Sequence, residues 1–87
     1  MKNRLQNYID ILLRGDEESS LLAVDTLKED VEILETIKQK ELSTVYNAIV
    51  EILNNYDHQN SFITRIFYET ELGKYLTIFL QTLNEQN

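Results

Sequence analysis

Cysteine and proline are absent from this 87-residue chain, which has only two glycines. Without cysteine, a disulfide scaffold, a thiolate nucleophile and a cysteine-ligated zinc site are all excluded. The scarcity of glycine and proline removes the residues on which most turn-rich β folds depend. The composition favours helices instead, because Leu, Glu, Lys and Gln are good helix formers and no proline interrupts them.

Long apolar runs are also lacking. The apolar stretch at positions 11–13 ends at Arg14, and charged and polar residues interrupt the ten positions before it. We therefore expect neither a signal peptide nor a membrane-spanning segment, and a cytoplasmic location is the default expectation.

The size and composition predict one domain over residues 1–87. Apolar residues make up 43% of the chain, which is enough for a core. A chain of this length buries only about 60–65% of its unfolded surface and is marginally stable alone. A partner or a second copy would add stability.

Catalytic chemistry has few candidates in this sequence. His58 is the single histidine, and it lies between Asp57 and Gln59 in a polar stretch that is typical of a solvated turn. One histidine supports neither a two-histidine metal site nor a metal-binding bundle, and the isolated Gly15 and Gly73 form no phosphate-binding loop. We expect no catalytic residue, no metal and no cofactor, so a small enzyme using His58 is the least supported hypothesis.

The first part of the chain predicts a helix over Lys2–Arg14, with apolar residues at helical spacing and Gly15 as a left-handed C-terminal cap. Asp16 begins the next helix. It opens a run of three acids at positions 16–18, where the helix dipole favours negative charge.

The middle of the chain carries a stripe formed by Val24, Leu27, Val31 and Leu34, which predicts one helix from Glu17 to Ile37 with this stripe buried. Continuing the stripe would bury charged residues, so we expect a break within Lys38–Ser43. An earlier break is the alternative, because Thr26 and Glu29 fit a capping box. The pattern alone leaves open whether Asp16–Ser43 is one helix or two.

The last part predicts a helix from Leu42 to Tyr56, a surface turn over Asn54–Ser61 and helix again from Phe62, with Gly73 marking a kink. Phe62–Tyr68 also reads as a strand, but it would have no partner strand elsewhere. The whole pattern predicts an all-α fold, a small antiparallel bundle of four or five helices. Tyr68, next to Phe67 in this last part of the chain, is a minor candidate for an exposed interface aromatic.

Negative charge is concentrated in one segment. Asp16–Glu35 contains eight acidic residues and one lysine, whereas the rest of the chain has seven acids and seven bases. The formal net charge of −7 therefore lies in that segment. Direct binding to nucleic acid or to anionic lipid is disfavoured, because both require clustered Lys and Arg.

On one continuous helix, four of these acids would lie within about 60° of each other, opposite the apolar stripe. Three apolar residues would flank them on the outer half of the helix. An acidic surface bordered by apolar side chains has the composition of a binding site for a basic protein. The residues that we expect to contact the partner are Glu18, Leu21, Leu22, Asp25, Glu29, Glu32 and Ile33.

These features favour a small acidic protein that binds and neutralises a basic partner, of the class that includes immunity proteins and antitoxins against nuclease-type toxins. This hypothesis rests on size, charge and the missing catalytic parts. The alternative is a helical homodimer or an adaptor or chaperone subunit of a larger assembly, which the apolar stripes would equally support.

Overall fold

The computed structural model describes residues 1–40, 42–58 and 61–85, and these residues form five α-helices and no strand. The predicted all-α bundle is confirmed. The helices are α1 (Lys2–Arg14), α2 (Glu17–Lys28), α3 (Val31–Gln39), α4 (Ser43–Tyr56) and α5 (Phe62–Glu85).

The junction between α1 and α2 has the predicted helix limits but a different backbone geometry. Gly15 is extended, with φ −78° and ψ 172°, so the predicted left-handed cap is wrong. The position still needs glycine, because a Cβ atom there would lie 2.6 Å from the carbonyl oxygen of Ile11. Asp16 caps α2 by accepting a 2.8 Å hydrogen bond from the Ser19 N–H, which lowers the pKa of Asp16.

A second helix break separates α2 from α3, so the single helix over Glu17–Ile37 is wrong and the alternative of an earlier break is confirmed. Asp30 caps α3 by accepting a hydrogen bond from the Ile33 N–H at 3.3 Å. Thr26 takes no part in a capping box, because it lies inside α2 and its hydroxyl donates to the Leu22 carbonyl. The predicted break within 38–43 is confirmed between α3 and α4.

This break changes which apolar residues of α3 are buried. Val31, which we expected on the buried stripe, is 67% exposed, and Leu34 is only half-buried. Ile33, which we expected on the outer half, is fully buried in the core. The apolar residues keep helical spacing in the sequence, but the backbone leaves the helix at Glu29 and Asp30. Helix α3 therefore presents a different face to the core.

The second half of the bundle has fewer interruptions than predicted. Asn54 and Asn55 belong to α4, so the turn is shorter than 54–61. Asp57 and His58 form a turn, Ser61 precedes α5, and Gln59 and Asn60 lie outside the described residues. Positions 62–68 are helical rather than a strand.

Helix α5 runs its full 24 residues through Gly73, where we expected a kink. Gly73 is buried where α5 meets α1, and a Cβ atom there would lie 2.6 Å from the Leu13 Cδ2 atom. The glycine therefore permits close packing between two helices rather than a bend.

The core is one cluster of apolar side chains contributed by all five helices. Helix α5 packs against α1 and α4, while α2 packs against α1 and α3 against α4. Ser20 and Glu69 are the only residues of polar or charged type that are buried with this cluster, among the residues described. Glu69 accepts a 2.7 Å hydrogen bond from the Tyr56 hydroxyl, which links α5 to α4. None of the described helices is long and apolar enough to cross a membrane.

Candidate partner-binding surface

The outer side of α2 carries a row of acidic residues with one leucine among them. Glu18, Leu22 and Asp25 follow each other at steps of four and three, and Glu29 continues the row at the end of the helix. Such spacing places side chains on one side of a helix. All four residues are exposed, and we call them the acidic face.

Leu22 is the apolar element of the acidic face. It is 68% exposed and borders a shallow cavity of ≈ 380 Å³ between α1 and α2, whose α1 wall includes Tyr8 and Ile11. A leucine exposed to this extent contributes little to folding and is available to a partner.

A second shallow cavity, of ≈ 480 Å³, adjoins the first and shares Arg4, Tyr8 and Thr26 with it. Asp25 and Glu29 line this cavity together with the exposed Val31. Leu22, Asp25 and Glu29 of the acidic face therefore line a groove that runs between α1 and the α2–α3 break.

Asp30 organises the floor of this groove. Its carboxylate accepts hydrogen bonds from Arg4 Nε at 2.8 Å and from the Tyr8 hydroxyl at 2.9 Å, in addition to capping α3. Burial opposes ionisation of Asp30, but the bonds from Arg4, Tyr8 and the Ile33 N–H outweigh it, so the pKa of Asp30 is lowered. Burial, together with the bond to Asp30, raises the pKa of Tyr8 to about 12.

The acidic face keeps most of its negative charge. Lys28 pairs with Asp57 and lies 3.9 Å from Asp25. Within the described ranges, Lys28 is the only cation at ion-pair distance from a residue of this face. No ion pair involves Glu18 or Glu29 in the part of the chain that the structure describes. These two carboxylates are solvated and can attract a cationic surface.

The structure brings together only part of the predicted set. Glu32 is exposed at the start of α3, but its carboxylate accepts a 2.9 Å bond from Arg4 and is neutralised there. Leu21 is half-buried on another side of α2, near Tyr56 and Arg65. Ile33 is buried in the core, so our prediction that it lies on the outer surface is wrong.

The groove residues that the sequence interpretation missed include Arg4, Tyr8, Asp30 and Val31. Asp30 gave a usable signal that a helix begins at Val31, because Asp is a preferred N-cap residue. Arg4 and Tyr8 had no such signal, since they meet Asp30 across 26 and 22 positions.

The remaining chemistry of the described residues is limited. His58 is exposed in its turn, and no group of three or more His, Asp or Glu side chains among them is placed to hold a metal ion. The sequence matches no protein-family model, no curated protein and no solved structure, so functional argument rests on the site itself.

Proposed function

We propose that this protein binds a basic partner protein through the acidic face and inhibits it by covering a cationic surface, as an immunity protein or antitoxin does with a nuclease-type toxin. The observation that carries this proposal is the exposed Leu22 among carboxylates, of which Glu18 and Glu29 have no described counter-ion. An apolar anchor with an acidic surround is complementary to a basic surface that contains an apolar pocket.

The two kinds of residue have different kinetic roles. The carboxylates attract the partner over a distance and speed the encounter, an effect that salt screens. Leu22 becomes buried in the complex and slows dissociation. Inhibition is steric, because the partner's cationic surface is occupied by this protein in place of its anionic substrate.

The test compares two triple variants with the same net charge. Glu18→Lys, Asp25→Lys and Glu29→Lys reverse the acidic face, whereas Glu35→Lys, Glu51→Lys and Glu85→Lys reverse exposed acids outside it. Glu32 and Ile33 are left unchanged, because Glu32 pairs with Arg4 and Ile33 supports the core.

Immobilised wild-type protein and both variants are exposed to native cell extract, and the retained proteins are identified and purified. We expect a basic protein retained by the wild type and by the control variant but not by the acidic-face variant. Surface kinetics with that protein should show a slower association rate for the acidic-face variant at low salt. Equal retention by all three forms, or retention of acidic proteins alone, would contradict the proposal.

A separate variant tests the anchor. Leu22→Ala should raise the dissociation rate by the equivalent of about 1–2 kcal/mol with the association rate unchanged. Its circular dichroism spectrum and unfolding midpoint should match those of the wild type, because Leu22 is largely exposed.

A second candidate function is that of a homodimer or an adaptor subunit. The observation that favours it is an exposed group of apolar side chains at the start of α5, which lies outside the acidic face.

A further inference from the structure

The first two turns of α5 expose four large apolar side chains: Phe62, Ile63, Ile66 and Phe67. Their exposed fractions run from 43% to 79%, with Ile63 the most exposed. We call these four residues the α5 patch. A contiguous apolar group of this size is among the largest that a soluble protein typically exposes, and such patches often contact another molecule.

The α5 patch has an internal two-fold symmetry. The segment reads Phe-Ile-Thr-Arg-Ile-Phe, the same apolar residues in either chain direction. At about 100° and 1.5 Å per residue, Ile63 and Ile66 lie about 30° on either side of the centre line of the patch. Phe62 and Phe67 lie about 70° on either side of the same line. A helix laid across the patch in either direction meets isoleucine at the centre and phenylalanine at both ends.

The two polar residues of the segment are turned away from this surface. Thr64 and Arg65 lie about 130° from the centre line and are half-buried. Arg65 donates a 3.1 Å hydrogen bond to Glu17 on α2, which neutralises the acid that borders the patch. Asp16, at the same edge, is engaged as the cap of α2. The two acids at this edge of the patch are therefore already engaged within the protein, one in an ion pair and the other as a helix cap.

We infer that the α5 patch is the dimer interface of this protein, occupied by the same patch of a second copy. A closed dimer requires a surface that is complementary to itself, and a patch of uncharged Phe and Ile side chains can pack against its own copy without bringing like charges together. The central isoleucines of both copies form the middle of the contact, and the phenylalanine rings enclose it.

The area of the patch agrees with this assignment. At about 200 Å² for a whole aromatic side chain, the exposed fractions of the four residues amount to roughly 400 Å² per copy. A standard interface buries about 800 Å² on each partner, of which about 56–58% is apolar. The patch thus supplies most of the apolar area that one side of a stable dimer needs.

The dimer does not rest on the proposed inhibitory function, because the acidic face and the α5 patch share no residue. The two contacts also respond to salt in opposite directions. Each copy carries a net charge of −7, so salt screens repulsion between copies and tightens the dimer, whereas it weakens attraction to a basic partner.

The test is sedimentation equilibrium of the full chain from about 10 μM to about 1 mM at two salt concentrations. We expect the mass of the wild type to rise with concentration from 10.3 kDa toward twice that value. At the higher salt concentration, this rise should begin at a lower protein concentration. Ile63→Asp should raise the dissociation constant at least about tenfold. The matched control is Val31→Asp, which adds the same charge at another exposed apolar residue and should dimerise like the wild type.

Thiol cross-linking gives a second measurement that is independent of the aspartate variants. The natural chain has no cysteine, so Ile63→Cys and Val31→Cys each carry a single thiol. Under mild oxidation, Ile63→Cys should form a disulfide-linked dimer much faster than Val31→Cys. A monomeric wild type at the highest concentration, equal dimerisation of Ile63→Asp and wild type, or equal cross-linking rates of the two thiol variants would each overturn the assignment.

Discussion

Asp30 joins α1 to α3 through one carboxylate, which makes it the polar residue on which the bundle should depend most. Asp30→Asn keeps an N-cap oxygen but removes the charge and places an amide N–H₂ against Arg4 or Tyr8, both of which are donors. Hydrogen bonds to charged groups contribute about 1.5–3 kcal/mol, and the partly solvated Arg4 reduces that value. We expect a loss of about 1–2 kcal/mol in the free energy of unfolding, measured by urea denaturation.

Two controls separate the role of Asp30 from a general charge effect. Glu32→Gln removes the other carboxylate that contacts Arg4, but Glu32 is exposed and the change should cost less than about 0.5 kcal/mol. Because the pKa of Asp30 is lowered by folding, its contribution is complete above the ordinary Asp pKa of about 3.9 and is lost as the pH falls through the lowered value. A difference between wild type and Asp30→Asn that persists unchanged at pH 2 would contradict this account.

We expect the two glycines to respond differently to substitution by alanine. At Gly15 the added methyl group meets the backbone carbonyl of Ile11, which can move only if the end of α1 shifts. At Gly73 it meets the Cδ2 and Cγ atoms of Leu13, a partly exposed side chain that can turn to another rotamer, and alanine gains about 1 kcal/mol of helix propensity. Gly15→Ala should lower the free energy of unfolding by about 1–3 kcal/mol. Gly73→Ala should stay within about 1 kcal/mol of the wild type in the same urea experiment.

At the scale of elements, α4 and α5 are joined by the buried bond from Tyr56 to Glu69. Tyr56→Phe leaves a buried carboxylate without its donor, so we expect a loss of about 1–3 kcal/mol in the free energy of unfolding. Tyr46→Phe is the control on the same helix and should be nearly neutral, because Phe keeps the ring that faces Lys38. Burial, and after it the hydrogen bond to Glu69, raises the pKa of Tyr56. The stability that the bond contributes is therefore complete below the ordinary Tyr pKa of about 10 and is lost as the pH rises toward the raised value.

Sequence periodicity predicted the helices whose apolar faces are uninterrupted. It failed where the helical spacing of apolar residues continues in the sequence across a break between two helices. The limits of α1 and the start of α2 followed from local signals that need no tertiary contact. A single helix was favoured over an earlier break because Val24, Leu27, Val31 and Leu34 keep helical spacing across positions 29 and 30. Asp30 and its bonds to α1 decide the break, and a local pattern does not contain contacts between residues 26 positions apart.

The same limit applies to the site. The acids and Leu22 of α2 share a side because they lie on one helix, which the spacing predicted correctly. Ile33 lies beyond the break, so its position depended on the helix phase that the structure changed. The symmetric order of apolar residues in the α5 patch was readable from the sequence. The exposure of the patch could not be predicted, because whether a neighbouring helix covers Phe62–Phe67 depends on how α1 and α2 end.

At the scale of the whole molecule, the concentration of charge in Asp16–Glu35 should make folding and partner binding respond oppositely to salt. Raising ionic strength from about 0.01 to 0.15 M shortens the screening length from about 30 to 8 Å, which relieves repulsion among the acids of the folded chain. We expect the midpoint of thermal unfolding to rise with salt while the association rate with a basic partner falls. Glu29→Gln removes one acid close to Asp25 and Asp30 and should stabilise the protein by up to about 0.5 kcal/mol at low salt. Glu51→Gln, which removes an exposed acid outside that segment, should have a smaller effect. Calorimetry of both variants at the two ionic strengths distinguishes the effect of locally concentrated charge from that of net charge alone.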